Sequence, residues 1–308
     1  EDGPDCSPPL TRTIPTSSTS VYVYWAPLDR NAKCINGVLR GYKIAYKISG
    51  RYYNLQNVDV KQPTARSFLV TRLQKFTTYS FQVLAYTIED GPLSNARDAT
   101  TLEDGPDCSP PLTRTTPTSS TSVYVYWTPL DRNAKCINGV LRRYKVAYKI
   151  SGTNYKLQYV DVKQPTARWI PVTRLQKFTT YSFQVLAYTI KDGPLSNARD
   201  ATTLQDEPEA APEALHILKI NTTTYTATWN EVPEHLRNGL VINYEVRWIM
   251  MRKGNQAVTG KAHTSGKIDG FSYTIHGLSL CAQYSISVRA YTRVGPGPYS
   301  APVNITTQ

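Results

Sequence analysis

Short runs of alternating apolar and polar residues recur along this chain, separated by clusters of turn residues. In VYVYW, Val21, Val23 and Trp25 fall on one side and Tyr22 and Tyr24 on the other. In YKIAYK, Tyr42, Ile44 and Tyr46 share a side against Lys43, Ala45 and Lys47, and in YSFQVLAY, Tyr79, Phe81, Val83 and Ala85 line up together. A period of two marks a half-buried strand, because successive side chains point to opposite faces of the pleat. No segment offers a long helical stripe that would cover these strands, so their apolar sides require a second sheet. The pattern predicts an all-β chain of two-sheet β-sandwiches, strands A, B and E facing C, C′, F and G.

Self-similarity sets the domain count. EDGPDCSPPLTRT begins at Glu1 and again at Glu103, and residues 1–102 and 103–204 differ at 12 positions without a gap. One folding unit has been duplicated, so each copy must close its own core. Residues 205–308 carry the same landmarks in the same order. Trp25, Trp127 and Trp229 each end an alternating run, and Asn36-Gly37, Asn138-Gly139 and Asn238-Gly239 follow. Tyr42, Tyr144 and Tyr244 open the next strand, and Leu73, Leu175 and Leu278 each precede a tyrosine by six residues, at Tyr79, Tyr181 and Tyr284. Gly-Pro-x-Ser closes every unit, at Gly91–Ser94, Gly193–Ser196 and Gly297–Ser300. The expected domains are 1–102, 103–204 and 205–308, the last divergent.

The strand-B Trp, the strand-C Tyr, the Leu-then-Tyr corner and the closing Gly-Pro-x-Ser resemble the core pattern of fibronectin type III modules, over essentially the whole chain. The resemblance implies three tandem immunoglobulin-like (fibronectin type III) sandwiches and says little of function, since such modules serve unrelated proteins. Where the family often has Pro-Gly between the corner Leu and Tyr, this chain has Lys75-Phe76, Lys177-Phe178 and Leu280-Cys281. No Arg-Gly-Asp occurs, so the integrin-binding loop of some of these modules does not carry over.

Composition agrees with a globular β-protein. Tyr numbers 22 against 6 Phe and 2 Met in 308 residues, and Tyr, Val and Thr favour strands. No apolar run reaches the roughly 18 residues of a membrane helix, so no membrane insertion by this segment is expected. The start, EDGPDC, has no basic stretch or apolar signal segment, as in a mature or excised piece of a longer polypeptide.

Cysteine placement bears on compartment. Cys6 and Cys34, and Cys108 and Cys136, form one pair per repeat, 28 residues apart. Both members lie at the same pole of the predicted sandwich, and the third unit lacks both the cysteine and two residues of the loop. A disulfide per repeat is expected, and with it an oxidising setting. The alternative is buried free thiols in a cytosolic filament protein. Cys281 has no partner in the chain. It aligns with Phe76 and Phe178, which predicts a half-buried apolar role; intermolecular crosslinking is the second reading. Asn221-Thr-Thr and Asn304-Ile-Thr are N-glycosylation sequons and, joined to the paired cysteines, point to an extracellular chain.

Catalytic, cofactor-binding and metal sites are not expected. All four histidines, His216, His235, His263 and His276, lie in the third unit without ligand spacing. No Gly-rich phosphate loop occurs, and Asp104 and Asp107 fall in a linker without the acidic ladder of a calcium loop.

Two surfaces are candidates for contact. The net charge of +12 is uneven: the middle unit carries 14 basic and 7 acidic residues, +7, against +4 and +1 for its neighbours. Arg143, Lys145 and Lys149 alternate with core residues on strand C, a stripe open to a glycosaminoglycan or an acidic protein, or simply a solvated face. Nucleic acid fits an extracellular chain poorly. Tyr124 and Tyr126 of strand B and Trp169 of strand E are predicted to share an outward face, and Ser67 stands at the Trp169 position in the first unit. That trio is either a protein contact or an intradomain aromatic cluster.

The expected role is a non-catalytic adhesion or receptor ectodomain segment, extracellular, a semi-rigid spacer and protein-binding array whose partners are other proteins, homotypic contact included. The alternative is a repeat segment of a filament-forming matrix protein. An accessory module of a secreted glycosidase and an intracellular muscle filament are further rivals.

Overall fold

The computed structural model describes residues 2–52, 54–251, 259–265 and 271–308, and the side chains of 263–265, that of His263 included, lie outside the description. Among the described residues, each unit forms seven strands in two antiparallel sheets. In the first module, β1 (Leu10–Ser17), β2 (Ser20–Trp25) and β5 (Ser67–Val70) make a three-stranded sheet, and β4 (Gln56–Val60), β3 (Gly41–Ile48), β6 (Thr78–Tyr86) and β7 (Arg97–Thr100) a four-stranded one. The second module repeats this with β8 (Leu112–Ser119), β9 (Ser122–Trp127) and β12 (Trp169–Val172) against β11 (Gln158–Val162), β10 (Arg143–Ile150), β13 (Thr180–Tyr188) and β14 (Arg199–Thr202). In the third, β15 (Glu213–Lys219), β16 (Tyr225–Asn230) and β19 (Ser272–Ile275) face β18 (Thr259–Ser265), β17 (Asn243–Met251), β20 (Gln283–Tyr291) and β21 (Val303–Thr306).

The alternating residues meet between the sheets. Val21, Val23, Ile44, Phe81 and Val83 are fully buried, and so are their counterparts in the second module. Trp25, Trp127 and Trp229 sit in the three cores, each beside the strand-C tyrosine, with ring centroids 5.2, 5.5 and 5.5 Å from Tyr42, Tyr144 and Tyr244. Ala45, assigned to the outward side by alternation, is buried as well; its side chain is small enough to be covered by longer neighbours.

The landmark motifs work by satisfying backbone groups. At each corner the backbone N–H of Gln74, Gln176 or Ser279 donates to the hydroxyl of Tyr79, Tyr181 or Tyr284 at 2.9 Å. At each Gly-Pro-x-Ser, the serine hydroxyl takes up the N–H of Val83, Val185 or Val288, at 3.0, 2.9 and 3.1 Å. The glycine N–H donates to Ala85, Ala187 or Ala290 nearby. The last strand of the four-stranded sheet starts only later in sequence, so this segment supplies hydrogen bonds that the edge of β6, β13 or β20 would otherwise lack.

The corner without Pro-Gly adopts the backbone that glycine favours. Phe76, Phe178 and Cys281 have φ of 43, 45 and 53°. A side chain there is strained by roughly 1 kcal/mol or more. Cys281 is exposed, which corrects the half-buried role expected for it: the left-handed turn carries its side chain outward, as it leaves Phe76 and Phe178 partly exposed.

Candidate functional site

The upstream pole of each repeat is closed by a disulfide. Cys6–Cys34 and Cys108–Cys136 have Cα separations of 5.7 and 5.6 Å, and each tethers the strand-A lead to a short helical turn, Lys33–Ile35 or Lys135–Ile137. Closing a loop of 28 residues removes unfolded-state entropy worth about 3.5 kcal/mol. The third module keeps the underlying backbone bond, Glu209 N–H to the Leu236 carbonyl at 2.8 Å, and packs Ala210 and Leu236 against its core instead.

Between modules, one joint is built twice. Lys75, on the corner of module 1, reaches Asp104 at 3.3 Å and Asp107 at 2.9 Å, and Ser18 donates to Asp104 at 3.1 Å. Asp104 is anchored to module 2 by Lys191 at 3.1 Å and by its own N–H to the Asn138 carbonyl at 2.9 Å. At the next junction Lys177 and Ser120 hold Asp206, each at 3.0 Å, and Asp206 N–H donates to the Asn238 carbonyl at 2.8 Å. The Gly105 N–H first, and Lys191 next, hold the Asp104 carboxyl well below the usual carboxylate range. Lys177 is the main cause of the same lowering at Asp206. Read from the sequence, Asp104 and Asp107 are linker residues without ligand spacing. The signal that finds them is the recurrence of Ser, Lys and Asp at equal spacing in both repeats.

The predicted aromatic trio comes together. Trp169 pairs with Tyr126 and Pro171 with Tyr124 across β12 and β9. The Trp169 ring stacks on Tyr124 with centroids 5.1 Å apart and lies 6.5 Å from Tyr126. Arg114 lies over the Tyr126 ring, 4.3 Å from its centroid. Trp169 remains 49% exposed, so the cluster is an intradomain stack that still presents an indole outward. Module 1 keeps the Tyr22–Tyr24 pair and Arg12 over Tyr24, with Ser67 opposite Tyr24.

Two of the three cations of the basic stripe face carboxylates of their own module, and the third, Lys149, meets only a carbonyl. Arg143 lies 4.1 Å from the Tyr188 ring and 3.7 Å from Asp161, Lys145 binds Asp192 at 2.7 Å, and Lys149 donates to the Thr153 carbonyl at 3.0 Å. These cations are used within the module, and the glycosaminoglycan reading finds no support in them.

At the position of Lys145, the third module carries an acid. Glu245 is 2% exposed and accepts from Tyr291 at 2.8 Å, from Arg289 at 3.2 Å and from Tyr299. Arg247 and Arg289 lie over the Tyr299 ring, 3.6 and 4.4 Å from its centroid. Burial pushes the Glu245 carboxyl up, but the donors Tyr299, Tyr291 and Arg289 together outweigh it and bring it down to about 2. Burial, then the bond to Glu245, pushes Tyr299 up to about 12.

Both sequons are exposed at their asparagines. Asn221 opens the turn before β16, its side-chain oxygen accepting the Thr223 N–H at 3.0 Å, and Asn304 lies on β21, opposite Ser285.

Residues 7–100, 109–202 and 210–306 each match the Fibronectin type III domain, and the chain belongs to that family. It is similar to Protein sidekick-1 of Homo sapiens, 30% identical over 302 residues, 96% of this chain and 13% of that protein. It is similar to Cell adhesion molecule DSCAM of Gallus gallus, 30% identical over 314 residues, covering 99% and 15% respectively. It is also similar to Receptor-type tyrosine-protein phosphatase F of Bos taurus, 28% identical over 323 residues, covering 100% and 16%. The chain thus spans only 13–16% of these relatives. The solved chicken CNTN1 FN1-FN3 domains align over 99% of this chain and 100% of that one, with 21% identity and a TM-score of 0.45.

Proposed function

We propose that this chain is a non-catalytic ectodomain segment of a cell-adhesion or receptor protein, acting outside the cell as a semi-rigid spacer that presents protein-contact faces. The repeated joint carries the reading. The same lysine, serine and aspartate link successive modules at both junctions, so side chains on different modules are held at a set spacing. Similarity to a cell adhesion molecule and a receptor phosphatase supports an ectodomain over a matrix fibre, and the two disulfides suit an oxidising compartment.

The Trp169, Tyr124 and Tyr126 face is the protein-contact surface, offering large apolar area at low entropic cost, and a second copy of the chain is a partner it would serve. Asn221 and Asn304 are the glycan attachment points. Secretion from animal cells tests the setting: the product should show two bridged cysteine pairs by non-reducing mass spectrometry and lose mass on endoglycosidase treatment unless both asparagines are changed to Gln. Five free thiols in the folded product, Cys281 included, would overturn it. Chain-coated beads test the face. Aggregation should fall in Trp169→Ser, which copies module 1, and aggregation that persists unchanged would place the contact elsewhere.

A further inference from the structure

The two junctions enclose clefts with the same walls and opposite linings. The first, about 780 Å³, opens between the corner of module 1 and the loop before β10, and Ile48, Arg51, Phe76, Asp107, Arg132 and Lys135 line it. The second, about 710 Å³, is lined at matching places by Phe178, Glu209, Glu234, His235 and Arg237. Clefts of this size at domain boundaries are common ligand sites.

Phe76 is not explained by the fold. Its φ of 43° is one that glycine enters freely and a side chain opposes. The turn needs only a left-handed residue and an N–H for the Leu102 carbonyl, at 3.4 Å, and glycine supplies both. Phe76 is 42% exposed, so much of its apolar surface is unused by its own module. A strained residue with an open aromatic ring at a cleft is a sign of use rather than of packing.

Charge selects the occupant. Arg51, Arg132 and Lys135 are exposed, and none appears in an ion pair among the described residues. Asp107 is committed to Lys75 at 2.9 Å and to Asn138 at 2.7 Å, leaving the open charge in this cleft positive. Arg51 is one of the positions at which the repeats differ, Thr153 standing there in module 2. In the second cleft Lys177 is held by Asp206 and Arg237 by Glu231, which leaves Glu209 and Glu234 as the open charges.

We propose that the cleft between the first and second modules is a docking groove for an acidic segment of a partner protein, which seats an apolar side chain on Phe76 and carboxylates on Arg51, Arg132 and Lys135. This rests on the reading of the chain as a protein-binding array, but on a surface apart from the Trp169 face. Fluorescence anisotropy of the intact chain with a labelled synthetic peptide, glutamates around a central leucine–phenylalanine pair, tests it. Saturable binding is expected, weakening as salt rises. Phe76→Gly should weaken it roughly tenfold with no fall in Tm, since glycine suits the turn. Arg132→Glu with Lys135→Glu should abolish it, and Phe178→Gly and Trp169→Ser should leave it unchanged. No saturable binding, equal binding by Phe76→Gly, or equal binding of a peptide with the apolar pair replaced by glycine and serine would each overturn the groove. Those results would leave the bead assay of the Trp169 face standing.

Discussion

At the scale of single residues, Glu245 shows how one position can reverse its charge and keep its place. In modules 1 and 2, Lys43 and Lys145 pair with Asp90 and Asp192 and lie over the rings of Tyr86 and Tyr188. In module 3 the equivalent tyrosine, Tyr291, turns its hydroxyl to the carboxylate of Glu245 instead. The carboxyl's folded value of about 2 lies below its ordinary value of 4.5. The stability it gives is therefore present above about pH 4.5 and is lost as the pH falls toward 2. Carbon-detected titration of the Glu245 carboxyl should find its midpoint near 2. Glu245→Gln should lower the stability of module 3 at neutral pH by roughly 2–3 kcal/mol, as donors are left without their anionic acceptor. A midpoint in the ordinary glutamate range would show that the network does not hold. Along NYEVRW, Glu245 falls on the side opposite the core residues Tyr244 and Val246. Its burial was not legible, because the cover comes from Arg289, Tyr291 and Tyr299, forty and more residues away in sequence. The cross-strand pairing of Glu245 with Arg289 is the hint that a register alignment would have given.

Strands and corners were far more legible, because they rest on local periodicity. The inward residues of VYVYW and YSFQVLAY, the Trp–Tyr core pairs and the cysteine bridges follow from alternation and spacing within one module. The three left-handed corners did not follow, since nothing in Lys-Phe or Leu-Cys announces a positive φ. What the closing Gly-Pro-x-Ser does was also hidden until hydrogen bonds were assigned. Ser94 and Ser196 are buried and accept the N–H groups of Val83 and Val185. Ser94→Ala or Ser196→Ala leaves such an N–H unpaired and should cost about 1–2 kcal/mol each in denaturant unfolding, with little change in m-value. Changes within about 0.3 kcal/mol, the scale of an ordinary surface substitution, would mean that water replaces the hydroxyl.

For the molecule as a whole, the joints decide whether three sandwiches behave as beads on a string or as a rod. A linker between modules permits motion unless side chains oppose it. Here Asp104 is gripped from both sides, by Lys75 and Ser18 upstream and Lys191 downstream. Exposed ion pairs are individually weak, so the restraint comes from their combination with backbone bonds such as Leu102 N–H to the Ser17 carbonyl at 3.1 Å. The side chains that limit hinging, Ser18, Lys75, Asp104 and Lys191, lie in four separate segments and were not visible as a group.

Small-angle X-ray scattering of the intact chain, with and without Lys75→Ala and Lys177→Ala, tests the repeated joint most directly. The unmodified chain should give a narrow, elongated distance distribution that broadens in the double variant and in high salt, while module Tm values stay constant. A wild-type distribution as broad as that of the variant would contradict the account, because its modules would then be freely jointed.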